Sequence, residues 1–323
     1  MISENKLDAV VRNLFEGISF TAQPAGLYDP LRYMIEIGGK RIRPRLCLLA
    51  YSLFRDTLGD EVLEPARALE VFHSFTLMHD DIMDRSPLRR GVPTVWKKWN
   101  EDTAILSGDV MLIEAYKRIV KAPERCRAQV LDLFTETAAQ VCEGQQHDMD
   151  FESRDNVSIA EYDMMIGLKT AVLIACSAKI GGLLADAPES DCEALYRYGY
   201  ELGMAFQVAD DYLDAYGDEK VFGKPIGGDI LNCKKSWLTL RAMEKSDDPA
   251  AFMATFQRPW NTPDEGKAKI EAIRGMYDML GVPADDRAEI ARYSGRALAA
   301  LEGIHADTSP LKDFAERLVG RAK

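Results

Sequence analysis

Two short acidic clusters, each closing a long apolar run, limit what this chain can fold into. The first is Leu77-Met78-His79-Asp80-Asp81-Ile82-Met83-Asp84. The second is Asp210-Asp211-Tyr212-Leu213-Asp214, which follows Gly203-Met204-Ala205-Phe206-Gln207-Val208-Ala209. On a helix the outer acids of each cluster stand at i and i+4 and share a face. Like charges that close are costly unless a cation lies between them. Oxygen donors alone suit a hard ion such as Mg²⁺. Cations trail both clusters: Arg89 and Arg90 after the first, and Lys220, Lys224, Lys234 and Lys235 after the second. One such cluster reads as a solvated helix end. Two with the same spacing, each followed by cations that grip phosphate, point to a diphosphate bridged to protein by metal.

The bulk of the chain narrows the partners. Lys+Arg of 40 against Asp+Glu of 52 gives a net charge of -12. Such an acidic chain is poorly suited to nucleic acid or to anionic membranes. Its positive charge is local, at Lys40, Arg41, Arg43 and Arg45, at Arg89 and Arg90, and at Lys234 and Lys235, which fits a small anionic ligand. The six cysteines form no C-x-x-C pair, so a zinc site is not expected, and their scatter predicts reduced thiols and a cytoplasmic setting. The first residues show no basic-then-apolar leader pattern. No uninterrupted apolar run reaches the ~18 residues of a membrane span, so no transmembrane segment is expected.

Helical spacing dominates from end to end. Leu7, Val10, Val11, Leu14 and Phe15 open the chain, and 31–37 follows. Gly38-Gly39-Lys40-Arg41-Ile42-Arg43-Pro44 combines close backbone approach, cations and a proline suited to a first helical turn. Residues 62–84 form a long helix with Glu70, His73 and Phe75. His73 lies seven residues before Asp80 on the same face and is a ligand candidate, whereas His79 points away and reads as structural. Ser107-Gly108-Asp109 reads as a helix start. Helices are predicted over 126–151, 159–184 and 192–216. His147 and Asp150 read as a solvated helix end. Lys169 sits in an apolar helix and needs an anion or an acid nearby. A Gly/Lys/Asp loop spans 217–235, and helices over 235–246, 249–257, 263–280 and 284–320 finish the chain. No β alternation appears. The fold class expected is all-α, a single domain over 1–323 with helices around a central cavity.

Taken in order, Gly39-Lys40-Arg41-Ile42-Arg43-Pro44, the first Asp-Asp-x-x-Asp with Arg89-Arg90-Gly91, Lys169-Thr170, Gln207 with the second Asp-Asp-x-x-Asp, and Gly223-Lys224 resemble the polyprenyl (isoprenyl) diphosphate synthase family, trans type. The resemblance covers residues from about 30 to 240. It implies an isoprenoid-synthase-type helical bundle that extends an allylic diphosphate with isopentenyl diphosphate, and typically a homodimer. It makes Asp80 and Asp84 ligands of two Mg²⁺, and Asp210, helped by Asp214, of a third. Arg89, Lys169, Thr170, Gln207, Lys224 and Lys234 resemble allylic-diphosphate contacts. Lys40, Arg43, His73 and Arg90 resemble isopentenyl-diphosphate contacts. Asp80, Asp84, Arg89, Lys169, Asp210 and Lys224 are thus the expected catalytic set.

Phe75, five residues before Asp80, resembles the aromatic that limits product length in short-chain synthases making C15 to C20 products. An ideal helical wheel places Thr76 nearer the acid stripe, so Phe75 in the core would leave a longer product of C30–C40 open. Among other readings, a class I terpene cyclase lacks the second acid cluster and the Gly-Gly-Lys-Arg segment. A helical phosphohydrolase using His79-Asp80 needs more histidines than His73, His147 and His305 supply. An inactive partner subunit of a heteromeric synthase would have lost motif acids, and here both clusters are intact.

Overall fold

The computed structural model of the chain describes residues 4–16, 18, 20–217 and 226–320. Its helices, in order, are α1 (Glu4–Glu16), α2 (Ala25–Glu36), α3 (Ile42–Ser52), α4 (Asp60–Met83), α5 (Val95–Lys98), α6 (Glu101–Ile119), α7 (Glu124–Glu152), α8 (Ile159–Ile166), α9 (Val172–Leu184), α10 (Glu189–Tyr216), α11 (Gly228–Leu231), α12 (Trp237–Lys245), α13 (Pro249–Phe256), α14 (Pro263–Met279), α15 (Val282–Ala300) and α16 (Ser309–Val319). A two-residue ribbon, β1 (Leu88–Arg89) and β2 (Val92–Pro93), interrupts the series, with Arg89 opposite Val92. The all-α expectation holds.

The chain forms two compact units. The first comprises 1–136, 173–196 and 303–311. Its core is the packing of α4 on α6 and of α3 on α4. Phe72 meets Phe134 edge-on at 5.3 Å, and Phe134 meets Tyr116 at 5.2 Å. Both phenylalanines are buried, each worth roughly 1.5–3 kcal/mol of transfer free energy. A Cβ on Gly108 of α6 would fall on the His79 ring, so this glycine is what lets the two helices close. The same ring donates from Nε2 to Ile105 O, 3.0 Å away, in keeping with the structural role expected for His79.

The second unit comprises 137–172, 197–302 and 312–323. Here α8 is capped by a reciprocal Ser158–Glu161 box, and α14 by Thr262 and Glu265. Tyr277 of α14 bonds Thr239 of α12 at 2.8 Å in the core.

Three helix boundaries differ from the sequence expectation. Ser107–Asp109 lies inside α6, whose N-cap is Asn100, its side chain accepting from Thr103 N–H. The predicted 159–184 helix is broken by a π-turn over Gly167–Ala171. The predicted 284–320 helix stops at a 3-10 turn, Leu301–Gly303, and resumes at Ser309 with Pro310 in the new first turn. By length and composition Ile159–Leu184 is long and apolar enough to cross a membrane. It is 72% buried within the protein and carries Lys169, which marks it as core.

Candidate active site

The site in the first unit is built on the C-terminal end of α4. Asp84 caps that helix and donates its N–H to Asp80 O at 2.8 Å, so the i, i+4 relation is real. The three acids differ sharply. Asp81 is 2% exposed, and its carboxylate accepts a forked bond from Arg89, at 2.7 Å from Nη2 and 2.9 Å from Nε. Asp80 and Asp84 are less buried, and Asp80 Oδ2 lies 3.9 Å from the same guanidinium. Burial works against the charge on Arg89, but the bond to Asp81 outweighs it and holds the guanidinium charged. Arg89 reaches this position because the β1–β2 ribbon turns the chain back toward α4. Arg90 and Gly91 at its tip take left-handed φ of 53° and 79°.

A cluster of basic residues surrounds His73. Burial depresses its imidazole well below the usual range, and Arg43, Arg89, Arg90 and Arg41 push it further down. It is therefore a neutral ring among four cations. Arg43 is buried and its Nε lacks a hydrogen-bond partner. Burial lowers its pKa to about 10, against the pull of Glu70, and it stays charged at neutral pH. Glu70, itself 3% exposed, accepts from Arg41 Nη1 at 2.9 Å, and Ile35 O accepts from Nη2 at 2.6 Å. These bonds hold Arg41 in a left-handed conformation (φ 50°) at the entrance to α3, a geometry a non-glycine residue adopts only at a cost. Arg90 donates to Gly38 O, and a Cβ on Gly39 would lie 2.6 Å from the Arg90 guanidinium. Gly39 thus leaves room for the arginine. Lys40 is exposed beside them.

In the second unit the site is centred on the π-turn. A Cβ on Gly144 of α7 would fall on the backbone of Leu168 and Lys169, and one on Gly203 of α10 would sit 2.6 Å from Ala171 Cα. The extra residue of the π-turn is wedged between two glycine-bearing helices, a common device at functional sites. Lys169 Nζ donates to Asp148 Oδ2 at 2.6 Å, so an acid of the α7 end meets the half-buried lysine. Thr170 Oγ1 donates to Gln207 Oε1 at 2.9 Å, and Gln207 Nε2 donates to Asp211 Oδ1 at 3.1 Å. Asp211 Oδ2 also accepts from Tyr162 O–H at 2.6 Å and from Trp237 N–H at 3.0 Å. Burial, with the nearby charge of Asp229, pushes the Asp211 carboxyl up to about 7 against these bonds.

Each cluster therefore spends its middle acid on the protein. Asp210 stays half-buried, while Asp214 Oδ2 accepts Asp229 N–H at 2.9 Å. The Lys234 backbone is joined to the same turn through its N–H to Asp229 O. Lys224 lies outside the described residues. Sequence spacing missed the partners Asp148, Tyr162 and Glu70 and the roles of Asp81 and Asp211. The signal for the π-turn was present, as Gly144, Gly167 and Gly203 in otherwise helical runs.

The donors at the acid clusters are carboxylate oxygens, and among the described residues no three of His, Cys, Asp and Glu converge on one metal position. That combination fits Mg²⁺, which binds one or two carboxylates and completes its shell with water and substrate phosphate.

Known proteins resemble this chain in sequence and fold. The Polyprenyl synthetase family pattern matches residues 24–273. A geranylgeranyl diphosphate synthase of Methanosarcina mazei is 43% identical over 225 residues, 69% of this chain and 69% of its own. A geranylfarnesyl diphosphate synthase of Natronomonas pharaonis is 40% identical over 253 residues, 71% of this chain and 74% of its own. A crystal structure of a geranylgeranyl pyrophosphate synthase superposes with a TM-score of 0.94 at 40% identity, covering 99% of both chains. A geranylgeranyl pyrophosphate synthase from Corynebacterium glutamicum, complexed with isoprenyl diphosphate and magnesium, superposes with a TM-score of 0.88 at 26% identity, covering 99% of this chain and all of the other.

Proposed function

The chain belongs to the polyprenyl synthetase family and is a prenyltransferase, and from that premise we propose that it joins isopentenyl diphosphate to an allylic diphosphate, giving an all-trans prenyl diphosphate of C15 to C20. The observation that carries this reading is the division of labour in the first acid cluster. Asp81 is buried and committed to Arg89, while Asp80 and Asp84, one turn apart on the same face of α4, are only half-buried.

Asp80 and Asp84 would hold two Mg²⁺ and Asp210, with Asp214 beside it, a third; these ions would neutralise charge on the allylic diphosphate as it departs. Arg89 and Lys169 contribute fixed positive charge to that leaving group, each oriented by an acid, Asp81 and Asp148. Thr170 and Gln207, bonded to each other, offer hydroxyl and amide donors. Lys234 and Lys224 complete this set.

Lys40, Arg43 and Arg90 bind the diphosphate of the second substrate, and neutral His73 adds a hydrogen bond without a further charge. Ionisation of the allylic C–O bond leaves a delocalised carbocation. The alkene of isopentenyl diphosphate attacks it, and the proton lost passes to the departing diphosphate. The chain works as one catalytic domain over its whole length.

Phe75 is the proposed limit on product length, and its place in the core keeps the longer C30–C40 product as an outcome of the test. It is 8% exposed, edge-on to His79 at 4.9 Å and tilted against Phe72 at 5.6 Å, two rings of the same helix. The geranylfarnesyl relative makes one further addition the nearest alternative.

We also propose a homodimer in the cytoplasm. Support comes from the exposed apolar residues Ile105, Leu106 and Ile113 of α6, 43%, 57% and 53% exposed, and from six free thiols. The test is product analysis with Mg²⁺, labelled isopentenyl diphosphate and dimethylallyl, geranyl or farnesyl diphosphate in turn. A C15 or C20 product is expected. A product of C30 or more would keep the reaction and remove Phe75 as the limit. Folded protein that condenses none of the primers would overturn the proposal in favour of an inactive partner subunit.

A further inference from the structure

Lys269 of α14 is 6% exposed, yet no carboxylate among the described residues pairs with it. Its Nζ lies 3.2 Å from Cys233 Sγ and 5.9 Å from the Phe256 ring centroid. A lysine this buried normally ends on an acid or an anion; here it ends on sulfur. Cys233 forms the turn between α11 and α12 in a left-handed conformation, φ 54°. Its Sγ is also 3.2 Å from Phe256 O. The thiol is free and only half-buried, so a small oxidant can reach it, while the amine is pinned behind it. Both residues belong to the second unit.

We infer that Cys233 and Lys269 are a modification site, an oxidative cross-link in which a peroxide joins Sγ to Nζ. The Cys233 sulfur attacks the peroxide; one peroxide oxygen stays on sulfur as sulfenic acid and the other takes the thiol proton and leaves as water. The lone pair of the Lys269 nitrogen then attacks that sulfur. The S–O bond breaks, a second water leaves, and nitrogen loses one proton. Thiol, amine and hydrogen peroxide thus give the S–N bond and two waters. Sulfur has lost two electrons and the peroxide has gained them. Sulfenic acids condense with nitrogen in this way when one is held against them. A thiol that attacks the sulfur restores the amine and leaves a mixed disulfide, which a second thiol clears.

The link would fasten α14 to the turn that carries Lys234. Lys234 N–H donates to Asp229 O, and Asp229 N–H donates to Asp214. Restraining that turn slows turnover; this consequence rests on the proposed function, whereas the cross-link does not.

The experiment treats the full chain with graded hydrogen peroxide, blocks remaining thiols and maps peptides by mass. The expected product is the Cys233 peptide joined to the Lys269 peptide with the loss of two hydrogens, separated again by dithiothreitol. Lys269→Arg and Lys269→Met should abolish the joined pair while Cys233 oxidises onward to sulfinic acid, and Cys233→Ser should abolish both. Turnover should fall in proportion to the linked fraction and return on reduction. Native protein whose Cys233 oxidises with Lys269 left unmodified, or whose Cys233 resists peroxide that oxidises the exposed Cys142, would overturn the site. A linked protein with undiminished turnover would overturn the regulatory consequence alone.

Discussion

The acid clusters show how far residue spacing reaches. Asp80 with Asp84 and Asp210 with Asp214 were legible because a 3.6-residue period fixes which acids share a face. What spacing does not carry is which acid meets a partner from elsewhere in the chain. Asp81 is taken by Arg89 only because the two-stranded β1–β2 ribbon brings that guanidinium back, and Asp211 by Tyr162 from 49 residues away. Asp81→Asn would leave Arg89 buried and misdirected. It is expected to lower turnover by about 10²-fold, the scale of an Ångström-sized misplacement, with steady-state kinetics as the measurement. An unchanged rate would mean that Arg89 needs no such support. Phe75→Ala removes a ring packed on Phe72 and His79. Its product distribution, read by chromatography of the dephosphorylated prenols, is expected to lengthen by one or more five-carbon additions. Unaltered lengths would reject Phe75 as the limit. A loss of stability of about 3 kcal/mol should accompany the change.

At the scale of elements, periodicity located the long helices and failed where local chemistry cuts across it. Ser107-Gly108-Asp109 has the composition of a helix start, yet α6 runs through it, because Gly108 serves the close approach of His79 rather than a turn. The π-turn at Gly167–Ala171 is invisible to a period-3.6 reading since one added residue keeps the run apolar. Its cause lies in tertiary contact: Gly144 and Gly203 allow two helices to press on the turn that carries Lys169. Gly144→Ala would place a methyl group on the Lys169 backbone, with no side chain able to yield. Overpacking of this kind costs about 1–3 kcal/mol. Thermal unfolding should show that loss, and the KM for the allylic diphosphate should rise, because Lys169 and Thr170 move with the turn. A variant that loses stability but keeps its KM would place the π-turn in folding alone.

For the whole molecule, the acidic balance that excluded polymeric anions as partners also sets how stability depends on pH. One contribution comes from a residue outside the site. Asp286 near the start of α15 is fully buried, and neither of its carboxylate oxygens has a hydrogen-bond partner. Burial, then the charge of Asp211, pushes its pKa from 3.8 to about 8 despite Arg287. The folded chain therefore keeps a proton at Asp286 that the unfolded chain releases above about pH 4. Stability is fully present below that point and falls as pH rises toward 8, by about 1.4 kcal/mol per pH unit for one proton. Above pH 8 both states are ionised and the dependence levels off. Asp286→Asn carries no charge at any pH. Its buried amide also lacks a partner, but that cost is the same at every pH. The difference in unfolding free energy between Asp286→Asn and the natural chain should thus shift in favour of the variant between pH 5 and pH 8. Urea titrations at pH 5, 6, 7 and 8 measure it. A difference that stays constant across that window would show that the carboxyl is already ionised in the folded chain and that a neighbouring group offsets its charge.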